Sequence, residues 1–129
     1  ILWLEFRRVL FRSLSSKFGY RIHPISGEKK LHTGIDIPAP AGTPVVAANS
    51  GTVIISRYDN SYGNMVAIDH GGGIVSFYAH NTERLVKVGD KVSKGQKIST
   101  VGTTGYSTGN HLHFEVKKNG TFVDPMNYL

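Results

Sequence analysis

The stretch that decides the fold is Gly109-Asn110-His111-Leu112-His113-Phe114-Glu115-Val116, near the end of the chain. It has the character of a β-strand, in which side chains two residues apart point to the same face. His111 and His113 would therefore share one face, with their Cα atoms roughly 6–7 Å apart. An exposed histidine pair on a partly solvated sheet explains the same spacing, because a motif this short is only a hypothesis. The residues expected to face the core are Leu112, Phe114 and Val116.

The composition predicts an all-β domain with antiparallel sheets. The 129 residues include fifteen glycines and five prolines, and short Val/Ile runs end at Gly, Asn or Asp. This pattern is typical of strands joined by tight turns. Helical periodicity is nearly absent, and no apolar stretch is long enough to span a membrane. Cysteine is absent, so any metal must be held by histidines and carboxylates.

The net charge is +6 with the histidines counted as neutral. A basic surface suits an anionic polymer, either nucleic acid or an acid-decorated cell wall. The basic residues are spread along the chain, however, and ordinary solubility charge is the simpler explanation. The charge alone therefore identifies no partner.

The first residues differ in character from the rest. The segment Leu4-Glu5-Phe6-Arg7-Arg8-Val9-Leu10-Phe11-Arg12-Ser13 mixes bulky apolar residues with arginines and resembles the translation of a common sequencing-library adapter. It lacks the continuous apolar run of a signal peptide. We predict that residues 1–13 are a non-native prefix and that residues 14–129 form the domain. A native linker or helix end from a longer protein is the alternative.

Turn signals divide the domain into short strands. A hairpin is predicted at His70-Gly71-Gly72-Gly73, and a second at Lys118-Asn119-Gly120. Residues 86–98 contain Gly-Asp and Lys-Gly turns like those of the compact β hammerhead in biotin- and lipoyl-carrier domains. Tyr78 and His80 are expected to share one face of their strand. The predicted strands cover residues 42–48, 51–56, 63–69 and 74–80.

A second polar cluster, His32-Thr33-Gly34-Ile35-Asp36, lies upstream. Its glycine and two following prolines argue against a helix. In a straight strand His32 and Asp36 would share a face but lie roughly 13 Å apart, whereas metal ligands lie about 2 Å from zinc. We therefore expect the chain to curve here, at Gly34.

These residues match the needs of a hydrolytic zinc site, which takes three protein ligands and leaves one position for water. His32, Asp36 and one of the two strand histidines would complete that set. Water on zinc has a pKa of about 7 and becomes a usable nucleophile. A general base and a group that stabilises the oxyanion are then still required. The other strand histidine and His80 are the candidates for these roles.

From about Phe18 to Leu129 the chain resembles the catalytic domain of the lysostaphin/LytM-type zinc endopeptidases of bacterial cell walls. The resemblance implies an antiparallel β fold related to hammerhead modules, of the duplicated hybrid motif or barrel-sandwich hybrid type. It rests on His32-Thr33-Gly34-Ile35-Asp36, Pro40-Ala41-Gly42-Thr43-Pro44-Val45, Tyr78-Ala79-His80, Gly102-Thr103-Thr104-Gly105-Tyr106-Ser107-Thr108-Gly109 and His111-Leu112-His113-Phe114-Glu115.

The same resemblance implies roles for the polar residues. Zinc is the implied cofactor, and the implied metal ligands are His32, Asp36 and His113. The implied catalytic histidines are His80 and His111. The chain departs from the family pattern at Asn110, where Pro is usual, and at Asn81, where Leu is common. Neither is a ligand position, so these departures affect fine specificity and not the metal.

The function implied is hydrolysis of cross-link or bridge peptides in bacterial peptidoglycan, outside the cell or in the cell envelope. We expect a monomer that has no nucleic-acid partner. The residues expected to contact substrate are His23, Tyr78 and Asn110. An inactive relative that binds the wall or activates an amidase is the alternative. Such relatives are expected to lose ligands, and this chain keeps all three.

A carrier or phosphotransfer protein with a similar hammerhead is a third hypothesis. A biotin or lipoyl carrier needs its modified lysine at a hairpin tip, and Lys91 and Lys94 flank the wrong kind of turn. That hypothesis also leaves the pair of strand histidines unexplained. A phosphotransfer protein would explain paired histidines but not His32 with Asp36.

Overall fold

The computed structural model describes residues 18–22, 27, 29–105 and 109–128, which are built almost entirely from β-strands. These ranges contain no α-helix, and thus no helix long and apolar enough to cross a membrane. The prediction of an all-β, antiparallel fold is confirmed. The predicted prefix, residues 1–13, lies outside the described ranges. The strands are β1 (Gly19–Ile22), β2 (Lys29–His32), β3 (Ile35–Pro38), β4 (Pro44–Val46), β5 (Gly51–Asp59), β6 (Gly63–Gly71), β7 (Ile74–Arg84), β8 (Lys91–Val92), β9 (Lys97–Val101), β10 (His111–Lys118) and β11 (Thr121–Val123), followed by a 3-10 helix (Pro125–Tyr128).

A nine-stranded sheet carries the domain, and β1 and β2 form a separate two-stranded sheet. The main path through the large sheet runs β11-β10-β7-β6-β5-β8. Strand β10 pairs with β3 and then β11 along one edge and with β7 along the other. Strand β9 pairs with β4 and with the far end of β7. The strand that carries the histidine pair is therefore enclosed on both sides.

Both predicted hairpins are confirmed. Strands β6 and β7 turn at Gly72 and Gly73, whose φ angles are 62° and 82°. Strands β10 and β11 turn at Asn119 and Gly120, with φ angles of 51° and 82°. A two-residue turn of this kind needs positive φ at both central positions, which Gly and Asn tolerate best. His70, predicted within the first turn, belongs instead to β6.

The apolar side of β10 lies in the core, as its alternation predicts. Leu112, Phe114 and Val116 are each 1% exposed. Burying side chains of this size stabilises the fold by roughly 1.5–3 kcal/mol each relative to leaving them exposed. Because this side of β10 is packed in the core, the side chains of His111 and His113 must point to the opposite side of the strand.

Strand β7 corrects one prediction, because Tyr78 and His80 do not share a face. The strand has one extra residue where its register with β6 shifts, and His80 there has a φ of 64°. Tyr78 lies in the core, 1% exposed, with its ring centroid 5.2 Å from that of Phe114. Its hydroxyl accepts a hydrogen bond from the Ala48 N–H at 2.8 Å, and burial raises the pKa of Tyr78 to about 12. The prediction that Tyr78 contacts substrate is therefore wrong.

The chain turns between β2 and β3, as expected, but Gly34 is required there for a different reason. Its φ lies outside the left-handed region. A Cβ at this position would lie 2.4 Å from the carbonyl oxygen of Phe114 and 2.7 Å from Cγ of Glu115. Glycine thus allows the β2–β3 connection to lie directly against β10.

Candidate metal centre

Three neighbouring strands bring the polar side chains together. On β10, His113 pairs directly with Asp36 of β3 on one side and with Ala79 of β7 on the other. Directly paired residues in a sheet present their side chains to the same face, so Asp36 and His113 meet there. His32 comes from the end of β2 in the smaller sheet. Residues remote in sequence thus form one cluster.

The Asp36 carboxylate is the centre of this cluster. Its Oδ2 lies 3.2 Å from Nε2 of His32, and its Oδ1 lies 2.7 Å from Nδ1 of His113. One ligand atom from each of the three residues lies within 4.8 Å of the others. Burial favours the neutral acid, but the hydrogen bonds and charges of His113 and His32 outweigh it and hold the pKa of Asp36 well below its usual range. Two nitrogens and one carboxylate oxygen suit zinc with three protein ligands.

His113 lies between two carboxylates. Its Nδ1 faces Asp36, and its Nε2 lies 2.6 Å from Oε1 of Glu115. Burial lowers the pKa of His113, but its hydrogen bonds to Asp36 and Glu115 outweigh burial and raise it to about 9. The two carboxylates therefore favour the protonated, positively charged form of the His113 ring.

His80 and His111 form a second pair beside the cluster, with ring centroids 5.1 Å apart. Nδ1 of His80 lies 2.7 Å from the carbonyl oxygen of Thr104, and Nδ1 of His111 lies 2.9 Å from that of Gly109. A carbonyl can only accept, so each Nδ1 carries a hydrogen and Nε2 is the proton-accepting atom of the neutral ring. Burial and the neighbouring imidazoles outweigh the Thr104 hydrogen bond and lower the pKa of His80.

The other sequence predictions have different outcomes. Asn110 is exposed next to His111, and its role stays a prediction. His23 and residues 106–108 of the small-residue loop lie outside the described residues.

Nε2 of His111 lies 3.6 Å from Oδ1 of Asp36, so both strand histidines reach the same carboxylate.

Two polar residues of the site had no role assigned from the sequence. Glu115 is 2% exposed and contacts His113. Tyr62 donates its hydroxyl hydrogen to Glu115 at 3.2 Å, and burial and the Glu115 charge raise the pKa of Tyr62 to about 12. The two-residue spacing after His113 could have placed Glu115 on the histidine face, but no sequence signal identifies Tyr62.

The family model for peptidase family M23 matches residues 30–125, which include the whole cluster. The chain belongs to peptidase family M23. Family membership implies a metal cofactor, and within the described ranges the group able to hold one is His32, Asp36 and His113.

The M23 relatives support the same fold over nearly the whole chain. The peptidoglycan DD-endopeptidase ShyC of Vibrio cholerae is 46% identical over 116 residues, covering 89% of this chain and 27% of ShyC. A zinc-containing peptidase from Vibrio cholerae matches with a TM-score of 0.84 and 40% identity, covering 88% of this chain and 36% of that protein. The catalytic domain of lysostaphin from Staphylococcus simulans matches with a TM-score of 0.80 and 34% identity, covering 95% of this chain and 96% of that domain. The chain thus spans about a quarter of the length of ShyC.

Proposed function

We propose that this chain is a zinc-dependent endopeptidase that hydrolyses peptide bonds in bacterial peptidoglycan. The observation that carries the proposal is the convergence of His32, Asp36 and His113 on one point beside two further imidazoles. The peptidoglycan activity named for ShyC supports the substrate. Action on peptidoglycan would place the enzyme in the cell envelope or outside the cell. The three candidate ligands come from one chain, so the proposed site needs no second copy.

The three clustered residues would hold zinc, and the donor set fits it. His32 and His113 supply nitrogen, Asp36 supplies a carboxylate oxygen, and three protein ligands leave a coordination position open. When bound, zinc supplies Lewis acidity that polarises a carbonyl and lowers the pKa of water. The low pKa of Asp36 keeps it anionic, so its negative charge is present throughout the neutral range.

His80 and His111 would handle the proton. Each donates its Nδ1 hydrogen to a carbonyl, so Nε2 can accept a proton from water or hold the charge that develops on the carbonyl oxygen. The lowered pKa of His80 favours the neutral form that a base requires. The exposed Asn110 beside His111 and the small residues Thr103 and Gly105 would border a narrow groove for a peptide with small side chains.

The catalytically inactive binding or activating module is the second candidate. The chain retains all three ligand residues and both additional histidines, which supports the enzyme. Zinc content and turnover on peptidoglycan, measured together on the purified chain, separate the hypotheses. About one zinc per chain with turnover that a chelator abolishes and zinc restores supports the proposal. Zinc without turnover would support the inactive module, and absence of zinc after purification with zinc present would contradict the enzyme.

A further inference from the structure

Glu115 accepts three hydrogen bonds on one carboxylate oxygen. His113 donates through Nε2 at 2.6 Å, Thr33 through its hydroxyl at 2.9 Å and Tyr62 through its hydroxyl at 3.2 Å. The residue is 2% exposed, whereas Asp and Glu are almost never fully buried unless paired. Removing a carboxylate from water is costly unless donors replace the lost hydration. The site therefore holds a negative charge directly behind the histidine that faces Asp36.

These contacts decide which nitrogen of the His113 ring is available to a metal. A neutral imidazole carries one N–H, and a carboxylate can only accept. With Nε2–H donated to Glu115, Nδ1 is the nitrogen that has to lose its hydrogen to offer a lone pair to a metal, and it lies 2.7 Å from Asp36. The other tautomer would direct a lone pair at Glu115 and a hydrogen at the metal position.

Glu115 also connects the segments that supply the rest of the site. Thr33 adjoins His32 in the chain, and the Tyr62 carbonyl accepts the backbone N–H of His80 at 2.8 Å. One carboxylate oxygen thus joins β10 to the β2–β3 connection and to the β5–β6 turn. Glu115 also lies against Gly34, since its Cγ is 2.7 Å from where a Cβ on that glycine would be.

We propose that Glu115 is a positioning residue for the metal ligand His113. It fixes the Nε2–H tautomer and the orientation of the ring. Its negative charge makes Nδ1 a stronger electron-pair donor to the metal. The inference rests on the proposed function, because it assumes zinc at His32, Asp36 and His113. Carboxylates that accept the second N–H of a ligand histidine typically contribute 10–100-fold to metal affinity. A purely structural Glu115 would affect folding stability and leave zinc affinity unchanged.

The test compares Glu115→Gln with Ser76→Ala, measuring the zinc dissociation constant by chelator competition on folded protein. Ser76 is a matched control, because it is also a buried polar residue on a strand of the large sheet, 1% exposed, but bonds to Tyr78 and His70 away from the cluster. We expect Glu115→Gln to weaken zinc binding about 10–100-fold and Ser76→Ala to leave it within about twofold of wild type. Equal zinc affinity in wild type and Glu115→Gln would overturn the inference while leaving the proposed function intact.

Nitrogen NMR of zinc-loaded wild-type protein tests the inferred His113 tautomer even if Glu115→Gln does not fold. We expect the His113 signals to report Nδ1 as the metal-bound nitrogen and a slowly exchanging hydrogen on Nε2. Metal on Nε2 would overturn the inference. Wild-type protein that binds no zinc would instead overturn the proposed function, and this inference with it.

Discussion

At the scale of single residues, His111 and His113 lie on the same face of β10 but differ in their partners. Both approach Asp36, but Nδ1 of His113 lies 2.7 Å from Oδ1 of that carboxylate and Nε2 of His111 lies 3.6 Å from it. His113 also contacts Glu115, whereas Nδ1 of His111 contacts the Gly109 carbonyl. A site with three protein ligands and one open position takes only one of the two strand histidines. The different contacts therefore predict different consequences when each ring is removed.

We expect His111→Ala to retain zinc and lose about 10²–10⁴-fold in turnover, the usual contribution of a general acid–base group. His113→Ala should lose both zinc and turnover, and His80→Ala should behave like His111→Ala. Zinc content and turnover of each folded variant provide the check. Loss of zinc in His111→Ala with retention in His113→Ala would reverse the assignment.

The protonation of His113 predicts how the stability of the metal-free protein depends on pH. Its pKa is about 9 in the folded chain, compared with 6.5 for an unperturbed histidine. A raised pKa stabilises the folded state fully below pH 6.5, and this contribution is lost as the pH rises through about 9. The unfolding temperature measured in chelator should therefore fall over this interval.

Zinc-loaded protein is the control for that measurement, because His113 would have to give up a ring hydrogen to act as a ligand. Its unfolding temperature should not fall through the same interval. A metal-free chain whose unfolding temperature is level or rises between these pH values would show that the two carboxylates do not hold a proton on His113.

At the scale of strands, the close contact between Gly34 and β10 positions His32 and Asp36 against His113. A Cβ at Gly34 would lie 2.4 Å from a β10 carbonyl oxygen, so Gly34→Ala must displace the β2–β3 connection. Gly51→Ala is a matched control, because its Cβ would lie 2.3 Å from the Asp69 carbonyl oxygen, away from the cluster. Both substitutions should lower stability by about 1–3 kcal/mol, as overpacking does.

Only Gly34→Ala should also weaken zinc binding, because only that substitution separates ligand-bearing strands. Thermal unfolding and chelator competition on the two variants measure the two effects independently. Equal zinc affinity in Gly34→Ala and Gly51→Ala would show that the β2–β3 connection does not set the geometry of the cluster.

Local patterns are sufficient to predict the strands and hairpins. The alternation of β10 and the Asn119-Gly120 turn depend on neighbouring residues alone, and both are confirmed. The extra residue in β7 is not predictable in this way, because long-range partners hold His80. Its backbone N–H bonds to Tyr62 and its Nδ1 to Thr104.

The contacts of Glu115 illustrate the same limit within the site. The period of two places Glu115 on the histidine face, so its position is predictable. Its partners Thr33 and Tyr62 lie 82 and 53 residues away, and only the folded sheet brings them together. The candidate ligands could thus be predicted from the sequence, whereas the contacts that orient them could not.

At the scale of the whole molecule, the large sheet acts as a platform for a site that no single segment contains. Strands β3, β10 and β7 lie side by side, and the smaller sheet adds His32. Sites built on paired strands are held more precisely than sites on loops. Catalysis by this chain should accordingly depend on the assembled domain and on bound zinc together.

Mass spectrometry of peptidoglycan fragments after digestion is the most direct test of zinc-dependent hydrolysis by this chain. The samples are digested with the zinc-loaded chain, with the chelated chain and with Asp36→Ala. Only the zinc-loaded chain is expected to produce peptides cleaved by addition of one water across a peptide bond, and the fragment masses identify which bond is cut. Cleavage of the same bond by the chelated chain or by Asp36→Ala, or intact peptides with the folded zinc-loaded chain, would show that this chain is not a zinc-dependent endopeptidase of peptidoglycan.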